Sequence, residues 1–240
     1  MTMRVPPPEI PIRLFQTQLH ECGYYPERQA RNLVLDPHSP YLAQAYANAV
    51  DHGFRRSSGH IYRPHCPDCD ACTASRIEVQ HFQPDRSQRR CLARNADLEI
   101  ATVPARPHEE AFALYARYLD SRHGDGPMAG PTPEDFERFL ISRWGRTMFI
   151  ELRLEQELLA VAVTDVMPQG LSAVYTFYAP EHPRRGLGTF AILQQIALAQ
   201  RRNLPFVYLG YWLPGHPKMD YKRRFSALQI LREGRWQELR

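Results

Sequence analysis

Residues 171–225 read LSAVYTFYAPEHPRRGLGTFAILQQIALAQRRNLPFVYLGYWLPGHPKMDYKRRF and contain the pattern that decides the fold. Leu171–Tyr178 is rich in aromatic and β-branched residues, which predicts a strand. A turn with two arginines and two glycines, RRGLG at 184–188, opens a largely apolar helix that we expect to end near Arg202. Phe206–Trp212 is apolar on both faces, as a central strand is. The order is therefore strand, glycine turn, helix, strand and basic loop.

The segments around this stretch complete an α+β pattern. We expect strands and helices, in chain order, as follows: strand 97–104, helix 108–122, helix 133–143, strand 147–154, strand 158–166 and closing strands within 227–239. Strand, two helices, three antiparallel strands, helix and strand is the order of a GNAT-type acyltransferase fold, an analogy that concerns the fold and not the substrate. We therefore predict a GNAT-like domain at 97–240, preceded by a smaller cysteine-containing α+β domain at 1–96.

Composition narrows the class of protein. The chain has 240 residues, of which 43% are hydrophobic and 23% charged, as in globular proteins. No apolar run approaches 18 residues, and the first residues lack the apolar core of a secretory signal, so we expect a cytoplasmic protein without a membrane span. The formal net charge is +4, and all cationic residues except Lys218 and Lys222 are arginine, which suits phosphate or carboxylate partners. An ordinary solvated surface and a genomic composition bias are the competing interpretations.

The glycine turn is the first candidate site. Backbone N–H groups at a helix start, with Arg184 and Arg185 beside them, are typical of an anion site. The GNAT signature for acyl-CoA is Gln/Arg-x-x-Gly-x-Gly/Ala; Gly186 and Gly188 fit it, but Pro183 stands where the Gln or Arg belongs. This departure disfavours acetyl-CoA as the donor. The alternative interpretation is that the two glycines only bring the helix close to the sheet.

The basic segment after the last strand is the second candidate. KMDYKRRF at 218–225 places four cationic residues close to the aromatic residues Tyr211, Trp212 and Tyr221. Basic groups interleaved with aromatic rings suit single-stranded nucleic acid, because charge follows the phosphates while rings stack on bases. A solvated basic loop would have the same composition.

Cysteines form the third candidate. Cys66, Cys69 and Cys72 follow the spacing of a metal knuckle, and a tetrahedral site needs a fourth ligand, for which Cys22 is the first choice and His20 or His65 are alternatives. The spacing does not separate zinc from an iron–sulfur cluster. Three reduced thiols packed in a hairpin are the competing interpretation. Five cysteines without a secretory signal argue against a disulfide framework.

Nine segments in a fixed order resemble a known family. They are CGYYPERQAR (22–31), GFRRS (53–57), YRPHCPDCDAC (62–72), FQPDRSQRR (82–90), LYARY (114–118), LSAVYTFY (171–178), LGT (187–189), YLGYW (208–212) and KMDYK (218–222). With them the chain, from Cys22 to about Leu231, resembles the bacterial aspartate/glutamate leucyltransferases, which are related to the eukaryotic arginyl-tRNA–protein transferases. Two positions depart from the pattern: Ala179 stands where the family usually has Asp, and Tyr25 stands where the eukaryotic relatives have a second cysteine.

The resemblance implies transfer of leucine from leucyl-tRNA to the α-amine of proteins that begin with Asp or Glu, which creates an N-end-rule degradation signal. On this basis 1–96 is expected to recognise the acceptor and 97–240 to bind the aminoacyl-tRNA. The expected catalytic residues are Tyr178, Glu181 and Tyr221. The expected tRNA-binding residues are Arg184, Arg185, Gly186, Gly188, Lys218 and Lys222. The expected acceptor-binding residues are Arg55, Arg56 and Arg76. The expected metal ligands are Cys22, Cys66, Cys69 and Cys72.

The resemblance implies no cofactor for the transfer itself, with a structural zinc or iron–sulfur cluster as an open question at the cysteines. Three other functions compete. An arginyl-tRNA–protein transferase would share most of these features, and an acetyl-CoA-dependent N-acetyltransferase would share the fold. A zinc-containing nucleic-acid-binding module without catalysis would explain the cysteines and basic loops but not the apolar strands around Gly186.

Overall fold

The computed structural model describes residues 11–123 and 129–239, which form a mixed α/β architecture. Its helices are α1 (Leu42–Asp51), α2 (Arg86–Arg94), α3 (Glu109–His123), α4 (Pro133–Leu140) and α5 (Leu187–Arg201). Its strands are β1 (Leu14–Gln16), β2 (His20–Glu21), β3 (Gln29–Ala30), β4 (Asn32–Leu35), β5 (Arg55–Ser57), β6 (His60–Pro64), β7 (Thr73–Glu78), β8 (Glu99–Pro104), β9 (Thr147–Leu154), β10 (Glu157–Met167), β11 (Gly170–Tyr178), β12 (Phe206–Trp212), β13 (Leu228–Arg232) and β14 (Arg235–Glu238). Short 3₁₀ turns cover Val79–His81, Pro183–Arg185 and Asp220–Arg224.

An eight-stranded sheet organises the molecule, in the order β14-β13-β7-β12-β11-β10-β9-β8. β11 and β12 are parallel and are joined by α5, whereas the other neighbours run antiparallel. A smaller sheet, in the order β1-β4-β6-β5, lies in the N-terminal part, and β2 pairs with β3. The strands and the helix expected within 171–225 are confirmed.

Strand β7 joins the two parts of the chain. It comes from the cysteine-containing segment but pairs with β12 on one side and with β13 on the other. The predicted division at 96/97 therefore does not separate two sheets, because a strand from the first part completes the sheet of the second. The division itself stays a prediction, and the ranges 1–96 and 97–240 also include positions outside the described residues.

The main core lies where β9, β10 and β11 pack against α3, α4 and α5. Along β10, Leu159–Val163 is fully buried, because both faces of the sheet are covered at this point. α5 is apolar around most of its circumference, and ten of its residues are buried, as its composition predicts. The described residues include no helix that is long and apolar enough to cross a membrane.

Two local predictions need correction. The basic composition of residues 84–94 predicts a segment that leads to the second half, but Arg86–Arg94 form α2, which begins with a capping box between Asp85 and Gln88. Ser39, followed by Pro40, predicts the cap of the first helix, but α1 starts after Tyr41, which makes no side-chain cap. Thr132, followed by Pro133, predicts the cap of α4, and this is confirmed, since its side chain accepts a hydrogen bond from the Asp135 backbone.

Candidate functional site

The parallel strands β11 and β12 stop pairing before their C-terminal ends, and the space between those ends is called the cleft below. They pair over Gly170–Ser172 and Phe206–Tyr208. Beyond this point β11 continues beside β10 to Tyr178, while β12 shifts register near Gly210 and continues beside β7. The two strands therefore separate toward their carboxyl ends. A crevice at the carboxyl ends of parallel strands is where open α/β sheets bind ligands.

The glycine turn lies at the end of this cleft that β11 and α5 share. Gly186 is the residue before α5 and has φ 67° and ψ 41°, a left-handed conformation that glycine adopts at low cost. No described side chain caps the helix start, so its first N–H groups are available to an anion. At Gly188 an added Cβ would lie 3.4 Å from Cε1 of Tyr178. The missing side chain therefore lets the Tyr178 ring pack on the first turn of the helix.

Tyrosines form one wall of the cleft. The Tyr118 ring centroid lies 4.9 Å from that of Tyr178 and 6.2 Å from that of Tyr175. Arg122 donates from Nη2 to the Tyr178 hydroxyl at 2.9 Å, a contact that the sequence did not predict. Burial, with the nearby Tyr178, raises the pKa of Tyr118 to about 12, so this hydroxyl is neutral at physiological pH. A neutral aromatic wall with one cation suits a nucleobase or an apolar side chain.

The other predicted catalytic residues lie at the surface near this wall. Tyr221 is 39% exposed, and Glu181 is exposed with its Oε1 4.0 Å from Nε of Arg117. Ala179 is fully buried, and its N–H donates to the Leu159 carbonyl at 2.8 Å. Position 179, at which the resemblance leads us to expect Asp, therefore carries a methyl group enclosed in the core.

The two lysines have different environments. Lys218 is exposed, as a phosphate contact requires. Lys222 is only 2% exposed, and its Nζ donates to the Tyr211 carbonyl at 2.7 Å. Burial, reinforced by the charge of Arg55, lowers the pKa of Lys222 to about 7. Lys222 thus holds the Asp220–Arg224 turn against β12, and the direct tRNA contact predicted for it does not fit this burial.

The two arginines of the glycine turn also differ. Arg184 is exposed. Arg185 forms a bidentate ion pair with Asp97, with N–O distances of 2.9 and 2.8 Å, and its Nη1 also donates to the Arg94 carbonyl at 3.3 Å. The hydrogen bonds from Arg185 lower the pKa of the Asp97 carboxyl. Arg184 is therefore the arginine that remains open to a ligand, while Arg185 fixes the turn to the segment before β8.

Arg56 has no donor left for an acceptor carboxylate. Its side chain is fully buried, and Nε and Nη2 contact the Asp165 carboxylate at 2.7 and 3.1 Å. The other N–H groups donate to the carbonyls of Ser58, Phe139 and Leu140 at 3.0 to 3.3 Å. All five guanidinium donors are engaged. The acceptor contact predicted at Arg56 is thus replaced by a buried ion pair between β5 and β10.

The other two predicted acceptor arginines are also engaged inside the molecule. Arg55 is buried and donates to the carbonyls of Phe54 and Ser75 at 2.6 and 3.2 Å. Arg76 has a side chain that is 10% exposed and an ion pair with Asp51 at 3.3 Å. The sequence pattern of a strand does not reveal which of its faces another sheet covers, so the burial of these three arginines could not be predicted from the sequence.

The four predicted metal ligands line one cavity of about 410 Å³. Cys66 and Cys69 form a β-bridge, and Nη1 of Arg28 donates to the Cys69 sulfur at 3.3 Å. Arg63 also lines the cavity. Thiolates are suitable zinc and iron–sulfur ligands, but no three His, Cys, Asp or Glu side chains among residues 11–123 and 129–239 are arranged to hold a metal ion. The structure therefore brings the four cysteines together in one cavity, and metal binding by them stays a prediction.

Comparison with known proteins decides the family. The model for the N terminus of arginine-tRNA-protein transferase matches residues 20–90, and the model for its C terminus matches residues 110–232. The aspartate/glutamate leucyltransferase of Stenotrophomonas maltophilia strain K279a is 56% identical over 95% of this chain and 93% of that protein. This chain belongs to the aspartate/glutamate leucyltransferase family. Its members are aminoacyltransferases, which confirms the resemblance drawn from the sequence.

A second aspartate/glutamate leucyltransferase shows a similar degree of identity. The aspartate/glutamate leucyltransferase of Xylella fastidiosa strain 9a5c is 52% identical over 95% of this chain and 92% of that protein. Among solved structures, L-PGS from Bacillus licheniformis is 12% identical with a TM-score of 0.47, and the match covers 74% of this chain and 53% of that chain. This structural likeness is too low to support an argument about function.

Proposed function

We propose that this chain transfers leucine from leucyl-tRNA to the α-amine of proteins that begin with Asp or Glu. The proposal rests on one observation, the identity above half with aspartate/glutamate leucyltransferases over nearly the whole chain. The product carries an N-terminal leucine and becomes a substrate for N-end-rule degradation. Aminoacyl-tRNA is the donor, so we place the reaction in the cytoplasm.

The proposed reaction is an acyl transfer without a covalent enzyme intermediate. The neutral α-amine attacks the ester carbonyl carbon, an amide bond forms, and the ester C–O bond to the terminal ribose breaks. The amine loses a proton and the ribose hydroxyl gains one. An α-amine has a pKa of roughly 7.7–8.0 and is partly neutral near pH 7, so positioning can supply much of the rate, up to about 7–11 kcal/mol. The transfer needs no cofactor in this scheme.

We assign the aminoacylated 3′ end of tRNA to the cleft between β11 and β12. The exposed Arg184 and Lys218, and the N–H groups after Gly186, are suited to its phosphates. The tyrosine wall, which includes Tyr178, together with Tyr221 is suited to the terminal base or the leucyl side chain. Arg185 and Lys222 support this site indirectly, through the two turns that they hold. Glu181 is the exposed carboxylate nearest in sequence to the buried Ala179, and we keep it as the candidate proton acceptor.

We assign the acidic acceptor residue to the cysteine-lined cavity. Of the cations there, Arg28 has a side chain that is 44% exposed, and Arg63 is partly exposed with one donor on the His52 carbonyl at 3.0 Å. Both retain donors for a carboxylate, unlike Arg56. The expected result of Arg63→Gln is a larger KM for Asp and Glu acceptors, measured by peptide transfer. An equal change for Arg232→Gln would contradict this assignment.

We also propose that the C-terminal part is a GNAT-like unit and that the cysteines bind a structural metal, either zinc or an iron–sulfur cluster. The order β8-α3-α4-β9-β10-β11-α5-β12 and the separation of β11 from β12 support the first proposal. Thiol chemistry and the shared cavity support the second. Metal analysis of purified protein, with Cys69→Ser as the comparison, tests the metal.

A transfer assay tests the function against its rivals. Purified protein is incubated with labelled leucyl-tRNA, arginyl-tRNA or acetyl-CoA and with peptides that begin with Asp, Glu or Ala. We expect label from leucyl-tRNA on the Asp and Glu peptides. Transfer of arginine instead would identify an arginyl-tRNA–protein transferase, label from acetyl-CoA would identify an N-acetyltransferase, and equal transfer to Ala would contradict the acidic specificity.

A further inference from the structure

Helix α2 presents a row of arginines that the cleft does not use. Arg86, Arg89, Arg90 and Arg94, here called the arginine ridge, are all exposed. Their spacing of three and four residues places them on one helix face. The opposite face contains Gln88, Cys91 and Asn95, which are buried against the rest of the molecule. The ridge is therefore the solvent-facing side of a helix whose opposite face packs against the rest of the molecule.

We propose that the arginine ridge binds the phosphodiester backbone of the tRNA donor beyond its 3′ end. This inference rests on the proposed function and extends the binding surface from the reacting end to the body of the tRNA. The basic composition of residues 84–94 predicts only a charged segment between the two halves of the chain and does not by itself indicate a helix with one cationic face. The capping box between Asp85 and Gln88, followed by arginines at helical spacing, was the signal that could have identified it.

Both ends of α2 contact the turns that flank the cleft. At its C-terminal end, Arg94 donates to the carbonyl of Arg184, and Nδ2 of Asn95 donates to the carbonyl of Arg185 at 2.8 Å. At its N-terminal end, Nε2 of Gln88 donates to the carbonyl of Arg224 at 3.2 Å. The ridge is thus continuous with the glycine turn and with the basic segment. A tRNA whose 3′ end lies in the cleft passes next to it.

The charge of helix α2 itself has one sign. α2 contains no acidic residue, and the carboxylate before it, Asp85, is engaged by the helix N–H of Gln88 at 2.7 Å. Arg86 and Arg90 form no ion pair within residues 11–123 and 129–239. The exposed Arg184 continues the surface, as does Arg223, which also contacts the Asp220 carboxylate at 3.6 Å. A nine-residue helix is about 13 Å long, so several consecutive phosphates of an RNA strand fall within its length. Guanidinium groups bind phosphate oxygens in pairs of hydrogen bonds.

Nucleic acid fits this surface better than an acidic protein. Contacts to phosphates carry no sequence information and would serve every leucyl-tRNA isoacceptor equally. An RNA duplex is recognised mainly through its shape and its backbone, which a rigid row of arginines can follow. Continuity with the proposed 3′-end site then identifies the tRNA acceptor arm as the occupant.

The test combines one triple variant with two donors. In Arg86→Gln, Arg89→Gln, Arg90→Gln the ridge loses three charges, while the contacts of Gln88 and Asn95 remain. Its matched control replaces Arg143, Arg146 and Arg235, exposed residues on the loop after α4 and on β14, with Gln. The donors are full-length leucyl-tRNA and the minimal ester 3′-O-leucyl-adenosine, with an Asp-initiated peptide as acceptor. Leucyl-tRNA affinity is measured across a series of salt concentrations.

We expect the triple variant to bind leucyl-tRNA about 10- to 100-fold more weakly at about 0.1 M salt. The slope of the logarithm of the binding constant against the logarithm of the salt concentration should become shallower by about two to three. The triple Gln variant should transfer leucine from leucyl-adenosine at the wild-type rate. The matched control should bind leucyl-tRNA as tightly as wild type does. A variant with Lys at the same three ridge positions should recover most of the affinity for leucyl-tRNA. Unchanged tRNA affinity and slope in the triple Gln variant would overturn the proposal. Equal loss with leucyl-adenosine would also overturn it, because the ridge would then act through the fold. If the wild-type protein transferred leucine from neither donor, this result would refute the proposed function itself, separately from the ridge.

Discussion

At the residue scale, burial distinguishes arginines and lysines that look alike in the sequence. Arg56 is enclosed with all its donors engaged, whereas Arg184 faces solvent. Lys222 and Lys218 lie four residues apart, yet only Lys218 is exposed. Removing a buried cation leaves its partners without compensation, while removing an exposed one costs little. The role of each cation is therefore a question about its surroundings.

Arg56→Gln should destabilise the protein severely. The substitution leaves the buried Asp165 carboxylate without its counter-ion, so we expect a loss of about 3–5 kcal/mol in the free energy of unfolding, measured with urea. Arg138→Gln is the control, because the ion pair of Arg138 with Asp135 is exposed and should contribute less than about 1 kcal/mol. A stable Arg56→Gln variant with poor use of Asp acceptors would instead support the acceptor role first predicted for Arg56.

Lys222→Met should change how stability depends on pH. Burial lowers the pKa of the Lys222 ammonium group to about 7 in the folded protein. Between about pH 7 and 10 the unfolded chain therefore binds a proton at this lysine that the folded protein does not bind. The free energy of unfolding of wild type should therefore rise with pH in this window relative to that of the variant. Urea unfolding at pH 7, 8.5 and 10 measures the difference. Parallel pH curves for the two proteins would show that Lys222 keeps its ordinary pKa.

At the scale of elements, the close approach of β11 and β12 at one end determines the cleft at the other. Gly170 starts β11 where an added Cβ would lie 2.3 Å from the carbonyl oxygen of Phe206. Backbone atoms cannot move aside as a flexible side chain can. The glycine therefore allows the short parallel ladder, after which β12 follows β7 and β11 follows β10.

Gly170→Ala should separate the two strands at their paired end. We expect a loss of about 2–3 kcal/mol in stability, because the methyl group overlaps a backbone carbonyl, together with a lower rate of leucine transfer. Gly59→Ala is the matched control, since nothing lies within 4 Å of a Cβ at that position. The measurements are thermal unfolding and the leucyl-tRNA assay. Equal stability of the two variants would show that the ladder adjusts without cost.

At the scale of the whole molecule, the two parts of the chain share one sheet. β7 lies between β12 and β13, and its backbone hydrogen bonds satisfy N–H and C=O groups on the facing edges of both strands. The buried pair between Arg56 and Asp165 adds a second connection between the parts. A tRNA-binding part and an acceptor-binding part joined in this way would hold donor and acceptor in a constant relative position, as transfer requires.

A fragment of residues 97–240 should not fold alone. Without β7 it would expose the edges of β12 and β13, which invites aggregation. We expect it to be insoluble or unfolded by circular dichroism, and we expect the intact chain to unfold in a single transition. Co-expression of residues 1–96 should restore solubility. A soluble, folded 97–240 fragment would show that the sheet is stable without β7.

The sequence alone determined the local elements and the family. The apolar pattern of 171–212 predicts β11, α5 and β12 because periodicity and turn residues are local signals, and the ordered motifs from Cys22 onward indicate the leucyltransferases. Only the tertiary structure decided where β7 inserts, which arginines are buried and that α2 joins the two turns of the cleft. Those properties depend on contacts between residues up to about 150 positions apart, such as Arg76 and Gln229. Strand pairing and burial arise from such contacts, and no local pattern of side chains specifies them.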